Sequence, residues 1–187
     1  MPDPAFIVEG FMEQKIVQRL CPGKKVIRLE MNGTDVSLEA IANQIETQFL
    51  SFGNRHYPII VIFDREERNK DPETLINELL HLLNENQDMR GQMVVGMPDR
   101  MIENWILADW DTLANHYGLG ERPDENYEGT HGKRKLRSLL PSDCNYHETT
   151  DGVDIFIACD PKRISEFSES FFNFERRVCQ YCSWIDC

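Results

Sequence analysis

The stretch Pro58-Ile-Ile-Val-Ile-Phe-Asp64-Arg-Glu66 is the most informative part of the sequence about the fold. Its five consecutive apolar residues are typical of a strand buried on both faces, whereas a half-exposed strand would alternate apolar and polar residues. The run ends at Asp64, and the residues that follow are almost all charged. Asp64 and Glu66 therefore come just after the carboxyl end of a buried parallel strand, where open α/β sheets bind their ligands.

The two carboxylates after this strand point to a bound cation. Two like charges about 4 Å apart repel by about 4 kcal/mol at an effective dielectric constant near 20. A cation between Asp64 and Glu66 would remove that repulsion. Because alternate residues of a strand face opposite ways, Glu66 can join Asp64 only if it lies past the end of the strand.

Strand and helix patterns alternate along the first part of the chain. Apolar runs bounded by turn residues predict strands at 5–9, 25–31, 59–63 and 92–97, with the second strand nearer an edge. Apolar residues at helical spacing predict helices at 11–20, at 37–52, from Asp71-Pro72 onward and at 100–117. This alternation predicts an α/β, Rossmann-like fold with a mainly parallel four-stranded sheet flanked by helices.

A polar segment at 118–130 is the clearest loop in the chain. We therefore expect an α/β core over residues 1–117 and, over 118–187, a polar loop with a small helical C-terminal extension. Val153 and Phe156 indicate one short helix of this extension. Asp160-Pro161 is a typical helix start, and it predicts a second helix with Ile164, Phe167 and Phe171 on one face. Aromatic residues of the tail should pack the extension against the sheet.

Glu9 and Glu103 also follow predicted strands. Glu9 ends the first strand, and Glu103 lies in the first turn of the helix after the fourth. Because the carboxyl ends of parallel strands meet at one edge, both acids can reach Asp64 if the first and third strands are neighbours. The structural alternatives are a helix N-cap for Glu9 and a first-turn acid favoured by the helix dipole for Glu103.

Three residues near these acids have expected structural positions. Glu13, one helical turn beyond Glu9, is expected on the surface. Asp109 lies about 240° around an ideal helix from Glu103, so the two cannot face one site together. Trp105 is expected in the core.

The segment His131–Arg137 is the only dense basic run. Lys133, Arg134 and Arg137 are candidate phosphate-binding residues, and Lys133 and Arg137 are one turn apart on one helical face. A solvated helix face that balances the acidity of the protein is the alternative.

The net charge of −12 over 187 residues excludes one class of function. Proteins that coat nucleic acid by neutralising phosphates are normally basic. An enzyme that meets phosphates through a metal ion and a local basic patch is still compatible with this charge. The longest apolar runs have five or six residues and no basic-then-apolar leader opens the chain, so we expect a cytoplasmic protein with no membrane segment.

The C-terminal cysteines, Cys179, Cys182 and Cys187, have the spacing of half a zinc site. Further ligands could come from Cys144, His147 or Cys159. No second pair with ligand spacing exists, however, and reduced thiols are the usual state in a cytosolic protein. A structural zinc ion at Cys179 and Cys182 is therefore not expected.

The acidic motifs resemble those of the TOPRIM domain of topoisomerases, primases and OLD-family nucleases. That domain has an apolar strand ending in Glu-Gly, here Phe-Ile-Val-Glu9-Gly10, and a second ending in Asp-x-Asp, here Ile-Phe-Asp64-Arg-Glu66. The chain departs from the pattern at Glu66, which keeps the charge of the usual Asp but has an arm one methylene longer.

The chain is most similar to an uncharacterised TOPRIM-like family of bacteria and archaea, related to the OLD-family nucleases. The shared features are Glu103-Asn-Trp105-Ile-Leu-Ala-Asp109 and the segment from Gly132-Lys133 to Leu140-Pro141. The resemblance covers nearly the whole chain. It implies an Mg²⁺- or Mn²⁺-dependent nuclease, in an anti-phage defence or DNA-repair system, that cuts DNA or RNA with the help of a partner ATPase.

The resemblance also implies roles for the acids. Asp64 and Glu66 would hold the metal, Glu103 would add to the site, and Glu9 would share the metal or transfer a proton. Mg²⁺ prefers a few carboxylates together with waters and a substrate phosphate, which agrees with this set. No tyrosine-bearing module like that of topoisomerases is evident, so water is the expected nucleophile of a phosphodiester hydrolysis.

Two other classes stay open. A TOPRIM-like fold can lose catalysis and act as a partner-binding subunit of an ATPase-containing complex, and a charge of −12 suits a basic partner. A receiver-like phosphoacceptor domain also carries acids at strand ends. It normally has paired acids after the first strand and a lysine late in the sheet, and this chain has a single Glu9 and no such lysine.

Overall fold

The computed structural model describes residues 3–31 and 36–185, and a four-stranded sheet lies at its centre. The strands are β1 (Ala5–Val8), β2 (Lys25–Arg28), β3 (Ile59–Ile62) and β4 (Met93–Gly96), in the order β2-β1-β3-β4. All neighbouring strands are parallel. The predicted α/β fold with a parallel, four-stranded sheet is confirmed, and it is consistent with a Rossmann-like architecture.

The strand order determines which acids can meet. β1 lies beside β3 with Val8 opposite Ile62, so the residues that follow these two strands leave at the same edge of the sheet. β2 is at the outer edge, as expected, and it ends at Arg28, three residues earlier than predicted. Asn32-Gly33, a pair of residues whose types predict a turn, lies outside the described residues.

Helices flank the sheet. Over the described ranges the α-helices are α1 (Phe11–Leu20), α2 (Leu38–Phe52), α3 (Pro72–Asn84), α4 (Glu103–Ala108), α5 (Trp110–Tyr117), α6 (Gly132–Leu139), α7 (Val153–Ala158), α8 (Pro161–Phe167) and α9 (Glu169–Val178). Asp71 caps α3 by accepting a hydrogen bond from the Thr74 N–H, with Pro72 at the first helical position, as the sequence predicts. None of the helices described is long and apolar enough to cross a membrane.

The two faces of the sheet are covered by different parts of the chain. The face formed by Ala5, Ile7, Ile59 and Val61 packs against α2 and α3, which lie between the strands in sequence. The opposite face is covered by α1, by α4 and by helices that follow residue 117. Its strand residues are Phe6, Val8, Ile60 and Ile62. The C-terminal third of the chain therefore supplies part of the central core.

Trp105 and Phe174 connect the C-terminal helices to the sheet. Trp105 is 1% exposed, which confirms it as a core residue, and its indole N–H donates a hydrogen bond to Ser170 Oγ at 2.9 Å. Its ring stacks on Phe174 with centroids 5.5 Å apart. Phe174 lies directly over Gly96 of β4, where a Cβ atom would be 2.4 Å from the ring. Only glycine gives the ring this space.

Two predicted helices are each divided in two. The helix expected at 100–117 breaks at Asp109, whose side chain accepts the Thr112 N–H and so caps α5. The helix expected from Asp160 through Phe171 breaks at Ser168, which caps α9 by accepting the Phe171 N–H. In both cases a short polar side chain bonds the backbone and starts a new helix, which the apolar spacing alone did not reveal.

Candidate active site

Glu9 and Asp64 meet at the carboxyl edge of the sheet. The Asp64 backbone N–H donates a hydrogen bond to Glu9 Oε2 at 2.9 Å. This contact follows directly from the parallel pairing of β1 with β3, which brings the two strand ends side by side. The convergence of these two acids, predicted from the positions of their strands, is what the structure shows.

The segment after β4 closes around the same carboxylate. The Ile102 N–H donates to Asp64 Oδ1 at 3.1 Å, and the Glu66 N–H donates to the Arg100 carbonyl oxygen at 2.7 Å. Glu66 and Arg100 both have positive φ, at 53° and 84°, a conformation that costs energy for residues other than glycine. The expectation that Glu66 lies past the strand end is confirmed, because β3 ends at Ile62.

Glu13 is buried in the same place, and the expectation that it lies on the surface is wrong. It is 6% exposed, and its Oε2 atom has no hydrogen-bond partner within the part of the chain that is described. It lies on the face of α1 that also buries Met12, Ile16 and Val17. The available signal was its position three and four residues before Ile16 and Val17, which places it on the apolar face of α1.

Glu103 completes the acidic cluster from the opposite wall. It is 2% exposed and accepts a hydrogen bond from the Tyr146 hydroxyl at 3.1 Å. Tyr146 is itself buried and also lies 3.8 Å from Met12 Sδ. A tyrosine far along the chain therefore holds this carboxylate, and nothing in the sequence pattern pointed to it.

The acids border one cavity of about 300 Å³. Five carboxylates line one part of this cavity: Glu9, Glu13, Asp64, Glu66 and Glu103. The part of the wall that comes from the C-terminal region carries Lys133, Thr149 and a sixth carboxylate, Glu148. The size of the cavity is at the small end of the range for small-molecule pockets.

Four of these carboxylates have pKa values above their usual range. Burial, reinforced by the charges of Glu13, Glu9 and Glu103, raises the pKa of Asp64 well above its usual value. Burial likewise raises the pKa of Glu13 to about 7 and the pKa of Glu103 above its usual range. Burial also raises the pKa of Glu9, although the hydrogen bond from Asp64 acts the other way. A cluster of this kind is stabilised by protons or by a bound cation.

These residues suit a hard divalent ion such as Mg²⁺. The donors are carboxylate oxygens, and among the residues described the buried Glu13 Oε2 atom has no hydrogen-bond partner. Within the described ranges, no three acidic, His or Cys side chains are already drawn together as tightly as in a formed metal site. The acids surround a space, and binding would require their side chains to move inward.

The basic run contributes one residue to the cavity. Lys133 lies in its wall and forms an ion pair with Glu148 at 2.8 Å. Arg137 lies 3.8 Å from the same carboxylate, which agrees with the expected shared helical face, but it is not part of the cavity lining. Arg134 is exposed and is also outside the lining. Of the three candidate phosphate-binding residues, the structure therefore brings only Lys133 to the acids.

Asp109 lies apart from the cavity and has a structural position. Its carboxylate accepts hydrogen bonds from the backbone N–H groups of Thr112 and Asp160, and it is 1% exposed. It therefore joins the start of α5 to the start of α8. The structural assignment was correct, although the continuous helix used to argue it is not present.

The cysteines agree in part with the expected reduced thiols, since Cys21, Cys144, Cys159 and Cys182 are free. Cys179 is disulfide-bonded, so its thiolate is not available as a zinc ligand. Cys182 lies in the core with its Sγ atom 2.7 Å from that of Cys21. The spacing of Cys179 and Cys182 in sequence therefore does not correspond to one shared metal site.

No protein-family model, curated protein or solved structure matches this chain. The resemblance to TOPRIM proteins is thus a hypothesis based on motifs. The functional site is therefore inferred from the geometry of the acidic cavity.

Proposed function

We propose that this protein is a metal-dependent phosphodiester hydrolase that acts on nucleic acid, with Mg²⁺ or Mn²⁺ as its cofactor. The observation that carries the proposal is the convergence of Glu9, Glu13, Asp64, Glu66 and Glu103 around one cavity at the carboxyl edge of the sheet. Such a cluster, with Glu13 and Glu103 buried and the other three acids half-buried, is best accounted for by a cation that binds there during function.

The carboxylates of Asp64, Glu66 and Glu13 would hold the cation, with Glu9 and Glu103 beside them. When bound, a divalent ion polarises a phosphoryl oxygen and offsets the negative charge of the phosphate. Glu13 is included because, among the residues described, its buried Oε2 atom has no hydrogen-bond partner. The TOPRIM motifs do not point to this residue.

The remaining groups would act on the substrate and on protons. The Lys133 ammonium, in the cavity wall, would bind a phosphate oxygen in exchange for its ion pair with Glu148. The Glu9 carboxylate would accept the proton of the attacking water, because its raised pKa brings it closer to neutral pH. Tyr146 would keep the Glu103 carboxylate in place through their hydrogen bond.

The proposal is tested first by metal binding. Calorimetric titration with Mn²⁺ should show binding by the wild-type protein and none by Asp64→Asn, which keeps the size of the side chain and removes its charge. Asp88→Asn is the matched control, because Asp88 is exposed and lies outside the cavity. Wild-type protein that takes up no divalent ion would contradict the proposal and favour the partner-binding subunit.

Activity is then measured on single-stranded DNA, double-stranded DNA and tRNA, with and without Mn²⁺. We expect cleavage of at least one substrate, and we expect Asp64→Asn to abolish it while Asp88→Asn leaves it unchanged. Metal binding without any cleavage, by the protein alone or with an ATPase partner, would reject hydrolysis and leave a metal-binding scaffold.

A further inference from the structure

Phe11 is an exposed aromatic side chain at the mouth of the acidic cavity. It is the first residue of α1, two positions after Glu9, and it is 58% exposed. The large apolar residues with comparable exposure, within the described ranges, are Phe11, Leu50, Tyr57, Phe167 and Phe172. Among these, Phe11 is the one that borders the acidic cavity. The exposed ring therefore lies where a substrate would enter the cavity.

Arg28 holds the Phe11 ring in this position. Its guanidinium carbon lies 4.1 Å from the ring centroid, within the range of a cation–π contact. Arg28 is the last residue of β2, and Phe11 is the first of α1, so the pair is fixed by the adjoining sheet and helix. An aromatic ring with a cation against it is a flat, oriented surface for a further planar group.

The next turn of α1 adds a positive charge along the same rim. Lys15, four residues after Phe11, lies on the same side of the helix and is exposed. Its Nζ atom donates a hydrogen bond to the carbonyl oxygen of Thr149, a residue of the cavity wall. A phosphate group could therefore lie beside the ring, between Lys15 and the cavity.

We propose that Phe11, backed by Arg28, stacks a base of a single-stranded nucleic acid next to the phosphate held at the acidic cavity. The inference builds on the proposed function, because that function places a phosphodiester in the cavity. Base stacking on exposed aromatic rings, beside positive charge that follows the backbone, is the usual way in which proteins hold single strands. In a duplex the faces of each base are covered by its neighbours, so the ring would have no base to contact.

The test compares two exposed aromatic–arginine pairs. Phe167 is 46% exposed, and Arg122 lies over its ring at 3.5 Å, but this second pair is outside the acidic cavity. Phe11→Ala and Phe167→Ala are therefore matched variants. Binding is measured by fluorescence anisotropy with short DNA and RNA single strands, with the DNA duplex, and with an oligomer of base-free deoxyribose phosphates. Ca²⁺ is the cation in these assays, since it accepts oxygen ligands in flexible geometry.

We expect Phe11→Ala to weaken binding of the single strands by about tenfold, within the range for loss of one stacked base. Binding of the base-free oligomer should not change, and Phe11→Trp should restore binding of the single strands. Phe167→Ala should leave all affinities as they are. The DNA and RNA strands then show which sugar the site prefers, since stacking itself serves both.

Three results would overturn the inference. One is that Phe11→Ala has no effect on the single strands, and another is that it weakens the base-free oligomer equally. The third is wild-type protein that binds no oligonucleotide, because the ring would then have no base to stack.

Cleavage assays separate this inference from the proposed function. Binding that depends on Phe11 without any hydrolysis supports the stacking site and rejects the hydrolase. Hydrolysis with the same KM in wild type and Phe11→Ala supports the hydrolase and rejects the stacking site.

Discussion

The two faces of the central sheet differ in what they bury. The face under α2 and α3 has an apolar interior, with Ile41, Ile45 and Leu79 fully buried against the strands. The buried polar side chains that the structure describes belong instead to helices and caps on the opposite side. They are Glu13, Glu103, Asn104, Asp109, Ser168 and Ser170. One face is a conventional apolar core, and the other combines core residues with the proposed metal site.

The two faces also differ in which segments of the chain cover them. The apolar face is covered by α2 and α3, which both come from the first half of the chain. The opposite face needs α1, α4 and the helices beyond residue 117, which bring Tyr146 to Glu103 and Ser170 to Trp105. Core residues and the proposed metal ligands are therefore intermixed on that side, and substitutions there should alter both stability and metal affinity.

The largest expected effect comes from truncating one core residue on each face. Leu79→Ala should lower the free energy of unfolding by about 2–5 kcal/mol, and Trp105→Ala by about 3–5 kcal/mol. Urea unfolding gives both values. At a temperature where each variant is still folded, Mn²⁺ affinity should fall for Trp105→Ala, because Trp105 belongs to α4, the helix that also carries Glu103, and should be unchanged for Leu79→Ala. Equal loss of Mn²⁺ affinity in both variants would contradict the proposal that only the face covered by α1 and α4 carries the metal site.

The next effect concerns pH and the charge of Glu13. Burial raises the pKa of Glu13 from 4.5 to about 7, so the folded protein binds more protons than the unfolded chain between these values. Its contribution to stability is therefore complete below about pH 4.5 and is lost as the pH rises through about 7. Integrated over that shift, the metal-free protein loses on the order of 3 kcal/mol from this one group.

Glu13→Gln should accordingly stabilise the metal-free protein at pH 8 and have little effect at pH 5. Thermal unfolding at both pH values, with Glu166→Gln as an exposed control, measures this difference. Mn²⁺ should raise the melting temperature of the wild-type protein more at pH 8 than at pH 5. A stabilisation by Glu13→Gln that is the same at both pH values would show that the charge of Glu13 is not the cause.

A smaller effect is expected where α9 lies over β4. Gly96→Ala should cost about 1–3 kcal/mol, because the added Cβ atom would lie 2.4 Å from the Phe174 ring. The double variant Gly96→Ala/Phe174→Leu should recover part of this loss, since the smaller side chain gives the methyl group room. Chemical unfolding of the two single variants and the double variant provides the measurement. Strictly additive losses would mean that this contact does not position α9.

The sequence was sufficient for the sheet and for four of the five acids at its carboxyl edge, Glu9, Asp64, Glu66 and Glu103. Buried apolar runs located the four strands, and a parallel sheet brings Glu9 and Asp64 together by topology alone. It was not sufficient for Glu13, because α1 packs against α7 and the helical turn at 148–152, which come from a distant part of the chain. The breaks at Asp109 and Ser168 were missed for a local reason, since their caps compete with helix continuation through single hydrogen bonds.

The central claim is that the acidic cavity binds a divalent ion. A crystal structure of the protein soaked in Mn²⁺, with anomalous scattering measured, tests it most directly. We predict an anomalous peak in the cavity, about 2.0–2.3 Å from carboxylate oxygens that include Asp64 and Glu13. A fully occupied Mn²⁺ peak elsewhere in the molecule, with none among these carboxylates, would contradict the account.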